Sequence, residues 1–173
     1  MNLTHRIARL IDLTRTNANK LSFLGPLLIR LTVGLVFIGT GWGKLHTLPD
    51  VTAFFESLHI PMPGLNARVA ASTEFFGGIL ILVGLGSRLV ALPLSFTMVV
   101  AILTAKREAI DGFTTLVGFE EWSYLVMFLL IALTGPGAAS LDYLISRRLA
   151  ARPQAQTLPQ PRLAPTSAVA SRT

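Results

Sequence analysis

Three charged residues stand inside or at the end of long apolar stretches, where ionised side chains are rare. Arg30 and Lys44 belong to the first stretch, 21–45, and Glu74 interrupts a second one, 67–85. A helix of about 20 apolar residues is long enough to cross a bilayer. A charge inside lipid needs a partner, water or a route to the interface, and such groups are candidates for binding ligands or moving protons.

The spacing of these charges puts each of them on a glycine-containing face of its helix. One stripe repeats at intervals of four and three residues and comprises Arg30, Gly34, Phe37, Gly41 and Lys44. A second stripe comprises Glu74, Gly77, Gly78 and Ile81. Because glycine lets a neighbouring helix approach closely, we expect both stripes to face the interior. The predicted helix-packing glycines are Gly34, Gly41, Gly77 and Gly78.

Either Arg30 or Lys44 could pair with the carboxylate of Glu74. Counting the helical rise from the membrane edges puts Glu74 about 10 Å in depth from Arg30 and about 10 Å from Lys44. We favour Arg30, because Lys44 can instead extend to water. Two interpretations remain: an ion pair that fixes helix packing, or a polar cluster that binds a ligand or relays protons. That cluster would comprise Arg30, Lys44, Glu74, Glu121 and Tyr124, in a pocket that opens outward.

The composition excludes several classes of protein. Of 173 residues, 51% are hydrophobic and 14% are charged, whereas soluble domains carry roughly 25% charged residues. There is no cysteine, so thiol redox chemistry and disulfides by this chain's own groups are excluded. The net charge of +6 resides in the tails and beside apolar segments, which suits a lipid surface and not nucleic acid. His46, His59 and Met62 are too sparse for a soft-metal site, so we predict no metal.

Long apolar segments, separated by proline- and glycine-containing connections, predict an all-α integral membrane protein. We expect a four-helix transmembrane bundle with short interfacial amphipathic helices. The four spans are expected at about 22–45, 67–85, 88–105 and 118–134, within a membrane domain over 21–137. The flanking segments are a basic tail or interfacial helix over 1–20, an amphipathic interfacial helix over 138–151 and a disordered tail over 152–173.

The basic residues predict the orientation. With four spans, ten of them lie on one side: Arg6, Arg9, Arg15, Lys20, Arg88, Arg147, Arg148, Arg152, Arg162 and Arg172. Only four lie on the other side: Lys44, Arg68, Lys106 and Arg107. We therefore expect both termini in the cytoplasm.

Three segments in this order, LLIRLTVGLVFIGTGWGKL, STEFFGGILILVGLGSRL and GPGAASLDYL, resemble the DoxX family of small four-helix membrane proteins. The resemblance extends over about residues 24–146 and implies a multi-pass protein of the bacterial inner membrane. Positions that match the family's recurrent motifs are Arg30, Gly43, Lys44, Glu74, Gly77, Gly78 and Asp142. The family takes its name from membrane subunits of quinone-dependent sulfur oxidation, and some relatives accompany membrane oxidoreductases.

The resemblance implies a subunit or accessory of a quinone-linked membrane redox system more than a stand-alone enzyme. Its partners would be the lipid bilayer, an oxidoreductase subunit and a second copy of the chain, but no nucleic acid. Lys44 or Arg30 would donate to a quinone oxygen and Glu74 would relay a proton. The alternatives are a small-solute or ion carrier, which would need a homo-oligomer to enclose a path, and a non-catalytic scaffold or assembly factor.

Overall fold

The computed structural model describes residues 21–150, and all regular secondary structure in this part of the chain is helical. The helices are α1 Leu24–His46, α2 Leu48–Ser57, α3 Pro63–Val83, α4 Ser87–Thr104, α5 Phe113–Gly118, α6 Glu120–Thr134 and α7 Leu141–Ala150, with a 3₁₀ turn at Arg107–Ala109. The predicted segments 1–20 and 152–173 lie outside the described residues. The amphipathic helix expected over 138–151 corresponds to α7.

Three helices of the described chain, α1, α3 and α4, are long and apolar enough to cross a membrane. Their bounds agree with the first three predicted spans, except that α3 begins earlier. Pro63 is its first residue, and proline is favoured there because its fixed φ suits a first helical turn. The fourth predicted span corresponds to α6, whose 15 residues extend for about 22 Å and fall short of a hydrocarbon core of about 30 Å.

A tight turn makes α3 and α4 an antiparallel pair. Gly84 and Gly86 in this turn have φ angles of +75° and +59°, which residues with a side chain rarely adopt. Gly84 is also the C-cap of α3, and its N–H donates to the carbonyls of Leu80 and Ile81. The two helices are therefore connected without a loop that could separate them.

Glycines bring α1 and α3 into backbone contact. A Cβ atom added at Gly34 would lie 2.9 Å from the Cβ of Leu82, and one added at Gly78 would lie 2.8 Å from the backbone nitrogen of Ile38. At Gly41 it would lie 2.7 Å from the Cα of Phe75. Gly77 differs, because it faces the side chain of Leu94 on α4. Three of the four glycines thus set the α1–α3 distance, and the fourth sets the α3–α4 distance.

The core lies where α1, α3, α4 and α6 meet. Its buried side chains include Val33, Phe37, Ile81, Leu94, Phe128 and Ile131. The Phe37 ring meets the rings of Tyr124 and Phe128 edge-on, with centroids 5.4 and 4.8 Å apart, so α6 packs into the bundle. Large apolar side chains cover the outside, among them Phe76, Leu89 and Leu133. An apolar exterior of this extent is expected of a surface that faces lipid.

Candidate functional site

Lys44 and Glu74 form an ion pair between α1 and α3. Lys44 Nζ lies 2.6 Å from Glu74 Oε1, and the side chains are 37% and 4% exposed. The close approach at Gly41 makes this contact geometrically possible, because Glu74 leaves α3 beside that glycine and Lys44 follows it by less than one turn. A charge-assisted hydrogen bond of this length is strong, so the carboxylate is held at a defined position inside the bundle.

The expected pairing of Glu74 with Arg30 is wrong. Because Gly41 packs opposite Glu74, Lys44 is offset from that level by three residues, about 4.5 Å, whereas Arg30 is offset by eleven residues, about 16 Å. Counting the helical rise from the two membrane edges predicts the same difference in depth from Glu74 for both cations. Axial register between two helices is set by packing contacts, and composition does not reveal it.

Arg30 instead binds backbone carbonyls at the opposite end of the bundle. The side chain is 2% exposed and donates to Ile81 and Leu82 at the end of α3, over 2.9 and 2.7 Å. It also donates to Pro136 and Ala139 in the segment after α6, over 3.1 and 2.7 Å. The last carbonyls of a helix have no partner within that helix, so Arg30 satisfies them and joins three elements. The structure does not bring Arg30 together with Lys44, Glu74, Glu121 or Tyr124.

Asp142 strengthens the same end of the bundle. Its carboxylate accepts hydrogen bonds from the backbone N–H groups of Gly86 and Ser87, over 2.9 and 3.3 Å, at the start of α4. Its own N–H donates to the carbonyl of Gly84 over 3.0 Å. A carboxylate at a helix N-terminus is favourable because free N–H groups and the helix dipole both attract it. Arg30 and Asp142, two positions of the family motif, therefore have a structural role here: their contacts join the helix ends at this side of the bundle.

A cavity of about 1130 Å³ opens beside the ion pair, at the end of the bundle away from Arg30. We call it the Lys44–Glu74 cavity. The other two residues of the predicted cluster that line it are Glu121 and Tyr124. Aromatic and aliphatic side chains supply the walls, including Phe54 and Phe55 from α2, Leu58 just after it, and Phe96 and Val100 from α4. Apolar walls with a few convergent polar groups are typical of small-molecule sites.

A second ion pair lines the same cavity. Lys106 Nζ lies 3.5 Å from Glu121 Oε1, and Glu121 is 16% exposed. The ammonium of Lys106 also lies 5.6 Å from the centre of the Phe119 ring. Lys106 lies between the third and fourth predicted spans and was not among the predicted site residues. The sequence did contain a signal for this pair. The short segment between α4 and α6 must bring the end of α4, next to Lys106, near the start of α6, which carries Glu121.

Two carboxylate oxygens at this site have no hydrogen-bond partner. Glu74 Oε2 and Glu121 Oε2 are both buried, and neither meets a donor in the described part of the chain. Burying a charged acceptor without a donor is costly, so an unpaired oxygen calls for a specific reason. Both side chains line the same cavity, so two carboxylates with an unpaired, solvent-closed oxygen lie beside it, and a proton on the carboxyl group would remove the cost of burying the charge.

Comparisons with known proteins agree on one family. The sequence model of the DoxX family matches residues 25–107. Inner membrane protein YqjF of Escherichia coli (strain K12) is 33% identical over 130 residues, covering 75% of this chain and 98% of its own. The Bacillus subtilis (strain 168) protein named "Putative oxidoreductase CatD" is 34% identical over 126 residues, covering 72% of this chain and 89% of its own. No solved structure matches the chain.

Proposed function

Since this chain belongs to the DoxX family of membrane proteins, we propose that it binds a quinone in the Lys44–Glu74 cavity as an accessory subunit of a membrane redox system. One observation carries the proposal. A buried carboxylate, fixed by a lysine and with one oxygen unpaired, lines an apolar cavity of about 1130 Å³. Intramembrane ionisable groups that face a cavity are characteristic of ligand or proton sites.

The lining suits the chemistry of a quinone, an aromatic ring with polar oxygens and an apolar tail. Phe54, Phe55 and Phe96 offer surfaces for stacking and apolar contact. The Lys44 ammonium has three N–H donors and uses one in the bond to Glu74, so it can also donate to a ring oxygen. Arg30 does not donate to the quinone in this proposal, because it does not line the cavity and its donors bind backbone carbonyls.

A bound quinone supplies the electron-carrying chemistry, and the chain's own groups handle protons. Glu74 lines the cavity and one of its buried oxygens has no partner, so its carboxylate can take up a proton released in the cavity. Glu121 stands nearer the polar connection between α4 and α6 and pairs with the half-exposed Lys106. It can therefore pass protons between the cavity and water. In this proposal electrons come from or go to a partner oxidoreductase, since a chain without cysteine has no thiol redox chemistry of its own. One relative carries an oxidoreductase name.

The same proposal includes α6 as a fourth span in a bacterial inner membrane, with both termini cytoplasmic. Two sets of contacts support it. Glu121, at the start of α6, pairs with Lys106 just after α4, whereas Pro136, just after α6, binds Arg30 at the end of the bundle that holds the α3–α4 turn. A helix shorter than the hydrocarbon core can be accommodated by local thinning of the bilayer. The excess of basic residues on the side of the α3–α4 turn supports a cytoplasmic location for that side.

Quinone content of the purified protein tests the proposal. The protein is extracted from its native membrane with surrounding lipid, and bound quinone is measured by chromatography against an equal mass of an unrelated four-helix membrane protein. We expect stoichiometric enrichment in the wild type and at least a tenfold loss in Lys44→Met. The matched control is Arg107→Met, because Arg107 is exposed and does not line the cavity. No enrichment in the wild type, or equal content in both variants, would overturn the proposal.

A further inference from the structure

One edge of the Lys44–Glu74 cavity coincides with the outward side of α4. Phe96 lines the cavity and is exposed. At 3.6 residues per turn, Phe96 stands on the same face of the helix as Leu89 and Leu103, which are exposed but do not line the cavity. Met98 also lines the cavity, but it is buried on the opposite face. The lining therefore continues from the core side of α4 round to the side that faces lipid.

The neighbouring edge of α3 has the same character. Val69 lines the cavity, is exposed, and shares a helix face with Leu65 and Phe76. Those two residues are exposed and do not line the cavity. Glu74, in contrast, is buried on the core side of α3. Since α3 and α4 are neighbours joined by the tight turn, the cavity reaches the outer surface of the bundle in the gap between them.

This gap lies within the apolar depth of a bilayer. Val69 stands sixteen residues before Leu85 in the α3–α4 turn, and Val100, another lining residue, stands fifteen residues after it. The two therefore lie at nearly the same level, about 23 Å from the turn. Phe96 is about 16 Å from it by the same count. The hydrocarbon core is about 30 Å thick, so with the turn at one membrane edge both levels face acyl chains and not water.

The polar groups and the gap are on different sides of the cavity. Lys44 and Glu74 lie at the contact between α1 and α3, whereas the side chains at the gap, such as Val69 and Phe96, are hydrocarbon. The cavity volume of about 1130 Å³ exceeds the roughly 300–1,000 Å³ of typical small-molecule pockets. A ligand with a polar head and an apolar chain matches this arrangement, because each part meets a surface of its own kind.

We propose that the gap between α3 and α4 is a lateral opening through which a lipid-soluble ligand enters from the bilayer. The polar head lies at the Lys44–Glu74 ion pair, and the apolar chain lies in the opening between Val69 and Phe96. The identity of the head as a quinone rests on the proposed function, and this inference adds the chain and the route. A chain that passes from acyl chains to this opening keeps its apolar surface out of water throughout.

Two quinones that share a head group test where the chain lies: decylubiquinone, which has a decyl chain, and ubiquinone-0, which has none. Their dissociation constants are measured by equilibrium partition with the purified protein in lipid nanodiscs. We expect Val69→Trp to weaken decylubiquinone at least fivefold, because the larger side chain fills the opening, and to leave ubiquinone-0 within twofold. Leu65→Trp, on the same face but outside the cavity, should change neither.

Capture of phospholipid tests the opening without a quinone. Thr97 lines the cavity and stands about 100° round the helix from Phe96. We expect Thr97→p-benzoylphenylalanine, illuminated in phospholipid nanodiscs, to form adducts with acyl chains that mass spectrometry detects. Adding Val69→Trp should lower the adduct yield at least fivefold. The same photoreactive residue at Leu103, which is exposed outside the cavity, should give a yield that Val69→Trp leaves unchanged.

The outcomes separate this inference from the proposed function. Equal weakening of both quinones by Val69→Trp, or no weakening of decylubiquinone, overturns the position of the chain while quinone binding itself stands. Binding of neither quinone, with the wild-type protein folded by its thermal transition, overturns the proposed function, and the lipid adducts then decide the opening by themselves. Absence of adducts at Thr97, or a yield there that Val69→Trp does not change, overturns the lateral opening.

Discussion

Gly41 lies against the backbone of Phe75, and this contact puts α1 and α3 at the distance that the Lys44–Glu74 ion pair requires. A Cβ at position 41 would lie 2.7 Å from the Cα of Phe75 and 2.9 Å from the carbonyl carbon of Glu74. Backbone atoms cannot rotate away as a side chain can, so the space is closed to any larger residue. The absence of a side chain at one position thus determines where the buried carboxylate lies.

Gly41→Ala should separate the two helices and break the ion pair. Overpacking commonly costs about 1–3 kcal/mol, and we expect the upper end of that range because the obstruction is backbone. The matched control is Gly39→Ala in the same helix, where an added Cβ meets nothing within 4 Å. Thermal unfolding in lipid nanodiscs should show a large loss for Gly41→Ala and almost none for Gly39→Ala. Equal transitions for the two variants would refute the close approach.

Removal of Lys44 alone should be more damaging than removal of both partners of the ion pair. Lys44→Met leaves a buried carboxylate uncompensated, whereas the double variant with Glu74→Gln leaves no charge there. Contacting residues show coupling energies of about 0.5–3 kcal/mol, and the lower half of that range is expected because Lys44 is 37% exposed. A double-mutant cycle of unfolding free energies measures the coupling, and strictly additive effects would contradict it.

The Glu74→Gln variant also separates a structural role from a functional one. A pair that only fixes packing predicts less protein in the membrane but unchanged redox activity per assembled complex. A ligand or proton site predicts lower activity at equal abundance, because Gln keeps the shape of the side chain and removes the ionisable proton site. Quantitative immunoblotting beside quinone-dependent respiration in the same membranes distinguishes the two results, and normal activity per complex would favour the scaffold.

Arg30→Lys should destabilise the bundle without changing ligand binding. Arg30 makes four hydrogen bonds to carbonyls in a forked arrangement, and a lysine has three donors on a single atom. Leaving buried carbonyls unsatisfied costs about 1–3 kcal/mol for each group. Arg88→Lys is the control, because exposed Arg88 donates one bond, to the carbonyl of Thr134. A lower thermal transition with an unchanged dissociation constant is expected, and weakened quinone binding in the folded variant would assign Arg30 to the site.

Sequence patterns were sufficient to predict the features that belong to a single helix, such as its position and its buried face. Apolar length predicted α1, α3 and α4, and the periodic glycines indicated which faces meet. The axial offset between Glu74 and its two candidate cations was not predictable, because it depends on where Gly41 and Gly78 lock two helices together. The partners of Arg30 were also not predictable, since they are backbone carbonyls, two at the end of α3 and two in the segment after α6. Lys106 was missed because a charge in a connecting segment looks solvated until the fold closes around it.

Labelling of single cysteines should decide whether α6 crosses the membrane. The chain has no cysteine, so each introduced thiol is unique. We expect a membrane-impermeant maleimide to label Glu56→Cys and Glu108→Cys in intact cells, but Leu85→Cys and Ser146→Cys only after permeabilisation. Leu85 belongs to the α3–α4 turn and Ser146 to α7, and the contacts of Arg30 and Asp142 hold these two regions at one end of the bundle. Labelling of Ser146→Cys but not Leu85→Cys in intact cells would put them on different faces. It would exclude α6 as a span and, with it, the transmembrane wall that Glu121 and Tyr124 contribute to the Lys44–Glu74 cavity.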